Sequence, residues 1–170
     1  PQILFVGGDF KRKGGLVLSE CFRMHFAGSC DLHLVTHTAL REKPGVFVHH
    51  GVQAQSAQWR QRWEEADVFV FPSALETFGI VLVEALAFQV PVISADVGAA
   101  REILEAGAAG RLLPEVTRPA LAREIKLVLD EADATRTRVE RGWQRARERF
   151  DLETNTRRLA EMLHAARGGK

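Results

Sequence analysis

A chain of 170 residues has room for one substantial domain, and an apolar content of 46% supplies it with a core. A formal net charge of +1 makes no case for nucleic acid or another polyanion, no apolar run reaches the length of a membrane span, and no charged leader with an apolar signal region opens the sequence. The two cysteines, Cys21 and Cys30, lack metal-type spacing and suit a reducing compartment without requiring one.

Gln2–Val6 reads as a strand. It runs into Gly7, Gly8, Asp9, Phe10, Lys11, Arg12, Lys13, Gly14 and Gly15, ahead of a helical stretch at 16–26. Strand, glycine-rich basic loop and helix is the arrangement in which backbone N–H groups and cations hold phosphate. The loop has neither Walker spacing nor a G-x-G-x-x-G fingerprint, and Lys11 reads as a solvated turn residue. Strands follow at 31–36 and 46–50, joined by a polar connection that contains Pro44. The second leads into His49, His50, Gly51, Val52 and Gln53. Adjacent histidines on a strand point to opposite faces, so they do not readily chelate one metal, and no Cys, Asp or Glu stands close by. A helix is expected at 56–66, with Trp59 and Trp63 four apart on one face as core residues.

The stretch 66–95 organises the chain. Val68–Phe71 is β-branched and aromatic without alternation, the pattern of a strand covered on both faces. Pro72 and Ser73 stop it. Residues 79–88 form an almost wholly apolar helix, and 91–95 a second buried strand. A helix apolar on nearly every side is expected to be buried, and an unpaired carboxylate inside one is costly. Glu84, its only charge, therefore either emerges at an opening or binds something. Glu76 stands in the loop before this helix, with Thr77, Phe78 and Gly79 leading into the first turn. Gly79 permits close backbone approach, and a helix start offers unpaired N–H groups and a positive dipole end. Glu84 follows about 7–8 Å along the axis, at 1.5 Å per residue. That spacing suits a phosphate at the helix start and a sugar hydroxyl alongside.

Further on, 96–103 reads as a loop containing Gly98 that enters a short helix, and Arg111–Leu113 as a last strand. Pro119 starts a helix with Leu121, Ile125, Val128 and Leu129 on one face. A strongly charged helix at 134–150 follows, then a last one to 166 that Asp151 can cap, and a frayed end at 168–170. Strands alternating with helices predict an α/β fold, a Rossmann-like doubly wound parallel sheet in a single domain over 1–170, with about 117–167 as its C-terminal helical portion. Ligands on such sheets bind outside the carboxyl ends of the strands. The loop at Lys13, the loop after His50 and residues 76–79 all belong to that edge.

The run P-S-x-x-E-x-F-G-x-x-x-x-E-A, from Pro72 to Ala85, resembles the signature of retaining, GT-B-type glycosyltransferases of family 4 (glycosyl transferases group 1). The resemblance implies the C-terminal, donor-binding half of a GT-B fold. It implies that Glu76 contacts the donor sugar, that backbone at Thr77, Phe78, Gly79 and Ile80 contacts the diphosphate, and that Glu84 holds the ribose hydroxyls. Lys13 corresponds to the Lys before Gly that contacts the diphosphate, in a loop formed with Gly7 and Gly8 and assisted by Arg12. Gly51 and Val52 would lie beside the base, and Gly98 would approach the sugar or phosphate by its backbone. There are departures. Gly8 stands where many members carry Arg, so one phosphate cation is missing or supplied by Arg12. Gln89 replaces the usual Gly after the central helix, and Ala99 a frequent second Gly.

The implied reaction moves a sugar from a UDP-, GDP- or ADP-sugar to an acceptor with retention, by electrostatic stabilisation of the departing diphosphate. No metal or cofactor is implied, and no Asp-x-Asp triplet occurs. The implied partner is an N-terminal, acceptor-binding half in the same or a separate chain, without which donor binding is weak and there is little or no transfer. The implied location is the cytoplasm, with any inner-membrane contact made through that other half. A non-catalytic nucleotide-sugar-binding module or regulatory subunit is the alternative. A sugar-nucleotide epimerase has no support beyond fold analogy.

Overall fold

The computed structural model describes residues 1–168, with side chains described through 164. Six short, mostly apolar runs become β1 (Gln2–Val6), β2 (Asp31–Val35), β3 (Val46–His49), β4 (Val68–Phe71), β5 (Val92–Ala95) and β6 (Arg111–Leu113). They form one sheet in the order β3-β2-β1-β4-β5-β6, and every neighbouring pair is parallel. All six strands therefore finish at one edge, and the direction of winding reverses between β1 and β4, where such sheets bind ligands.

The connecting helices are α1 (Gly15–His25), α2 (Ala57–Glu64), α3 (Ile80–Ala87), α4 (Ala100–Ile103), α5 (Arg118–Asp130), α6 (Ala132–Arg149) and α7 (Leu152–Gly168). Residues of α1 and α5 build the core on one face of the sheet, and those of α2, α3, α4 and α6 the core on the other. β4 shows why its sequence lacks alternation. Val68 and Val70 enter one core while Phe69 and Phe71 enter the other, and all four are buried. The crossover from β2 to β3, residues 36–45, contains no helix; Leu40 packs onto the α1-side core in its place.

Local signals place the helix ends. Ser56, Thr117 and Asp151 accept hydrogen bonds from the N–H groups of Trp59, Ala120 and Thr154, which satisfies donors that a helix start leaves open. Gln89 adopts φ 58°, the left-handed turn expected where a glycine is missing. Three expectations need correction. The helix at 79–88 is not buried on every side: Leu82, Ala85 and Leu86 are buried, but Ile80 is 65% exposed. One stripe suffices to pack α3 on the sheet and on α6, and its first turn overhangs the strand ends. Trp63 is a fully buried core residue, whereas Trp59, edge-on to it at 6.2 Å, packs against the same core only half-buried and also borders a cavity. Gly168, expected in a frayed end, closes α7; 169–170 lie outside the described residues.

Two glycines seat the loops at the carboxyl edge. Gly14, at φ 80°, lies so close to the end of β4 that a Cβ would stand 1.9 Å from the Pro72 carbonyl oxygen. Gly98, at φ 55°, presses on the loop after β4, with a Cβ 2.3 Å from the Glu76 carbonyl oxygen. Backbone hydrogen bonds from Ala74 to Arg12 and from Ala99 to Thr77 complete these contacts. Gly98→Ala is expected to destabilise the fold by about 2–4 kcal/mol, from left-handed strain plus a backbone clash. Gly51→Ala, also at positive φ but with open space around its Cβ position, should cost only about 1–2 kcal/mol. Thermal melts of the two variants measure the difference, and equal midpoints would contradict the close packing at Gly98.

Candidate functional site

A cavity of about 250 Å³ opens at the carboxyl edge of the sheet. The end of β1 supplies Gly7 and Gly8, the end of β2 supplies Thr36 and His37, and the loop after β3 supplies Gly51 and Val52. Glu84 enters from α3. Its carboxylate is half-buried and has no hydrogen-bond or ion-pair partner among the described residues. Burial alone pushes its pKa up from the usual carboxylate value. The lone charge of the apolar helix thus faces an opening, where an ionised carboxylate can accept two hydrogen bonds from adjacent hydroxyls.

Beside this cavity, Lys13 and Glu76 meet. The ammonium of Lys13 ion-pairs with Glu76 Oε2, with both side chains largely shielded from solvent, and lies over the ring of Phe71, 5.3 Å from its centroid. Glu76 Oε1 accepts from the Thr77 N–H at 3.0 Å. Burial pulls the Glu76 pKa up, but the hydrogen bonds from Lys13 and Thr77 and the charges of Lys13 and Arg12 outweigh it and hold the carboxyl below its ordinary range. The two residues are brought together across 63 positions of sequence, bonded to each other. Arg12 turns to Asp9, its Nε 3.5 Å from the carboxylate, with both side chains half exposed. Gly79 caps α3 in the left-handed conformation with no side chain covering the helix start. The N–H groups of Phe78, Gly79 and Ile80 have no partner among the described residues, while that of Thr77 is taken by Glu76. Phe78 and Ile80 are exposed and do not line the cavity. Gly98 touches the site through the Glu76–Thr77 backbone on which it rests.

Other contributors carry no motif. Because His33 pairs with Phe47 in the ladder between β2 and β3, it lies diagonal to His49 on the same face. His33 Nδ1 is 3.1 Å from Arg62 Nη1 and 3.0 Å from His49 Nε2. A guanidinium only donates, so His33 Nδ1 is the acceptor and His49 Nε2 carries the other proton. Burial first, and then the charge of Arg62, hold both imidazoles below the usual histidine pKa. The His33 ring stacks on Phe47 at a centroid spacing of 5.0 Å and on His49 at 5.2 Å, so the three form one aromatic wall. His50 has a separate contact, its Nδ1 lying 3.3 Å from the Thr36 carbonyl oxygen. The Gly8 carbonyl accepts from Thr36 Oγ1 at 3.1 Å, Thr38 Oγ1 at 3.3 Å and the His37 N–H at 3.3 Å. That fixes the first loop to β2 and leaves the N–H groups of Gly8 and Asp9 without partners among the described residues. Successive free amides of this kind form anion-binding concavities.

Comparison with known proteins agrees with this architecture. Residues 31–145 match the family described as glycosyl transferases group 1. Phosphatidyl-myo-inositol mannosyltransferase of Mycobacterium leprae is 35% identical over 143 residues, covering 75% of this chain and 37% of that protein. The structure of sucrose-phosphate synthase from Thermosynechococcus elongatus superposes with a TM-score of 0.79 at 26% identity, over 98% of this chain and 46% of that one. Anabaena Alr3699/HepE, solved in complex with UDP and glucose, superposes with a TM-score of 0.82 at 22% identity, over 96% of this chain and 48% of that one. At that identity the likeness is one of fold. The chain spans less than half the length of each of these proteins. Matched in sequence over most of its length and built on the same doubly wound sheet, the chain belongs to the glycosyl transferases group 1 family.

Proposed function

We propose that the chain is the donor-binding half of a glycosyltransferase that moves a sugar from a nucleoside-diphosphate sugar to an acceptor, with retention and without a metal. The observation that carries this reading is the Glu84 carboxylate on the cavity wall, without a partner among the described residues and about one turn from a helix start that no side chain caps. The nucleoside lies in the cavity, its base against Gly51 and Val52 and its ribose hydroxyls donating to Glu84. The diphosphate runs toward the amides of the Gly7–Gly8 loop and the start of α3. Lys13 exchanges Glu76 for the diphosphate, and the freed Glu76 carboxylate turns to the sugar ring. Charge developing on the departing diphosphate is stabilised by Lys13, by Arg12 and by the positive end of α3.

An N-terminal, acceptor-binding half, in the same or a separate chain, completes the enzyme. In support, this chain covers less than half of its relatives. Leu75, Phe78 and Ile80 stand exposed around Glu76, and α7 leaves Leu152, Leu159, Met162 and Leu163 exposed. Large apolar side chains left exposed in groups fit an interaction surface. Among the described residues no helix is long and apolar enough to cross a membrane. The protein works in the cytoplasm, and any membrane contact is made by the other half.

Calorimetric titration with UDP, GDP, ADP and their sugar conjugates tests the donor site. Glu84→Ala is expected to weaken nucleoside and nucleotide alike by tenfold or more, about 1.4 kcal/mol. Lys13→Ala should weaken only the ligands that carry the diphosphate; losses unrelated to the ligand's phosphate would refute the assignment. Sugar transfer should appear on adding an N-terminal half, and its continued absence would favour the non-catalytic module.

Glu84 also makes a pH-dependent prediction for the ligand-free chain. Its folded pKa is raised, so its ionisation costs stability as pH climbs from the ordinary carboxylate range through the folded value. Glu84→Gln should therefore melt above wild type at neutral pH and level with it in acid, below about pH 4. Glu76 has the opposite sign, its contribution being present at neutral pH and lost as pH falls through its lowered folded pKa. A Glu84→Gln chain that melts below wild type at neutral pH would show that the carboxylate is structural.

A further inference from the structure

We infer that His37 is a further cation of the diphosphate site and takes up a proton as the nucleotide binds. The inference rests on the donor-site reading above. Charge balance motivates it. Lys13 is neutralised by Glu76 and Arg12 by Asp9, while Glu84 stands alone. Together these five side chains leave one net negative charge where a polyanion is to bind. The start of α3 contributes only about half a positive charge, and the free amides of Gly8 and Asp9 contribute dipoles. A full cation is wanting on the cavity side.

Of the side chains that line the cavity, only those of His37 and His49 can become cationic. His49 is committed, since it donates to His33 beneath the permanent charge of Arg62. His37 is exposed and makes no side-chain hydrogen bond among the described residues. Its backbone is held where its N–H donates to the Gly8 carbonyl. Its ring stands directly over Gly8, with Cδ2 3.1 Å and Nε2 3.9 Å from the point a Cβ on Gly8 would occupy. The imidazole thus stands against the loop residue whose own N–H, like that of the adjoining Asp9, has no partner among the described residues. The ring also accounts for the glycine: a long side chain at position 8 would have to displace it. The loop therefore draws its extra cation from the end of β2 instead of from its own position 8.

The titratable and charged groups around His37 are Glu84 and His49 on the cavity walls, Asp9, Arg12, Lys13 and the solvent-exposed Lys11 on the first loop, and His50 against Thr36. An arriving diphosphate, as a nearby negative charge, favours a protonated ring. The proton comes from solvent and resides on the imidazole while the nucleotide is bound. No covalent bond changes.

UDP-, GDP- and ADP-glucose are suitable probes, because a diphosphate esterified at both ends does not itself titrate near neutrality. Calorimetry in two neutral buffers of different ionisation enthalpy counts the protons exchanged, and the matching nucleosides serve as uncharged controls. Wild type should take up protons with the nucleotide sugar and none with the nucleoside. His37→Gln should bind the nucleotide sugar about tenfold more weakly, without proton uptake, and the nucleoside as wild type does. His37→Arg, with a permanent charge, should restore affinity without uptake. Thermal melts verify that both variants fold. Unchanged nucleotide-sugar affinity in His37→Gln, or equal weakening of nucleotide sugar and nucleoside, overturns the role of His37 and leaves the donor site standing. A wild-type chain that binds none of the three nucleotide sugars overturns both.

Discussion

Parallel pairing forces every strand of this sheet to finish at the same edge, and the candidate site exists because of that constraint. Residues as far apart as Lys13, Gly51 and Glu84 become neighbours of one cavity and its rim without any contact between their own segments being encoded locally. The remaining precision comes from steric exclusions. A Cβ at position 14 or 98 would collide with backbone of the β4 end or its loop, so these glycines set how deeply the first and fifth loops seat. The ion pair between Lys13 and Glu76 then bridges the place where winding reverses.

The edge is held together in a form that a ligand can take apart. Glu84 bears a desolvation cost with no partner to offset it, while Lys13 and Glu76 satisfy one another. Two unit charges 4 Å apart interact by about 4 kcal/mol at an effective dielectric constant of 20. A diphosphate, with more than one charge and several acceptor oxygens, can compete for an ammonium on those terms where a neutral ligand cannot. The ligand-free pairing keeps both side chains ordered near where they would act. Sites that sacrifice some stability in this way are common in proteins that must bind.

Much of this was legible in the sequence. The runs of β1 and β4 have the bounds that their composition implies, because strands buried on both faces need an unbroken apolar run. Glu84 drew notice as a charge where an apolar helix should have none, and the left-handed turn at Gln89 followed from the missing glycine. The hidden parts depend on register and orientation. His33 and His49 meet only because β2 pairs with β3 in one particular alignment. Arg62 joins them from a helix whose rotation no motif records. The overhang of α3, which exposes Ile80, depends on where the strands stop beneath it. A ring of His37 standing over Gly8 is a relation between two loops, invisible to a reading that takes each in turn.

A crystal structure of the chain with a bound nucleoside diphosphate tests the central claim most directly. The account predicts both ribose hydroxyls within hydrogen-bonding distance of the Glu84 carboxylate, the diphosphate at the start of α3, and the Lys13 ammonium moved from Glu76 to a phosphate oxygen. A nucleotide lodged away from α3, with Glu84 still unpartnered and the Lys13–Glu76 pair intact, would contradict it.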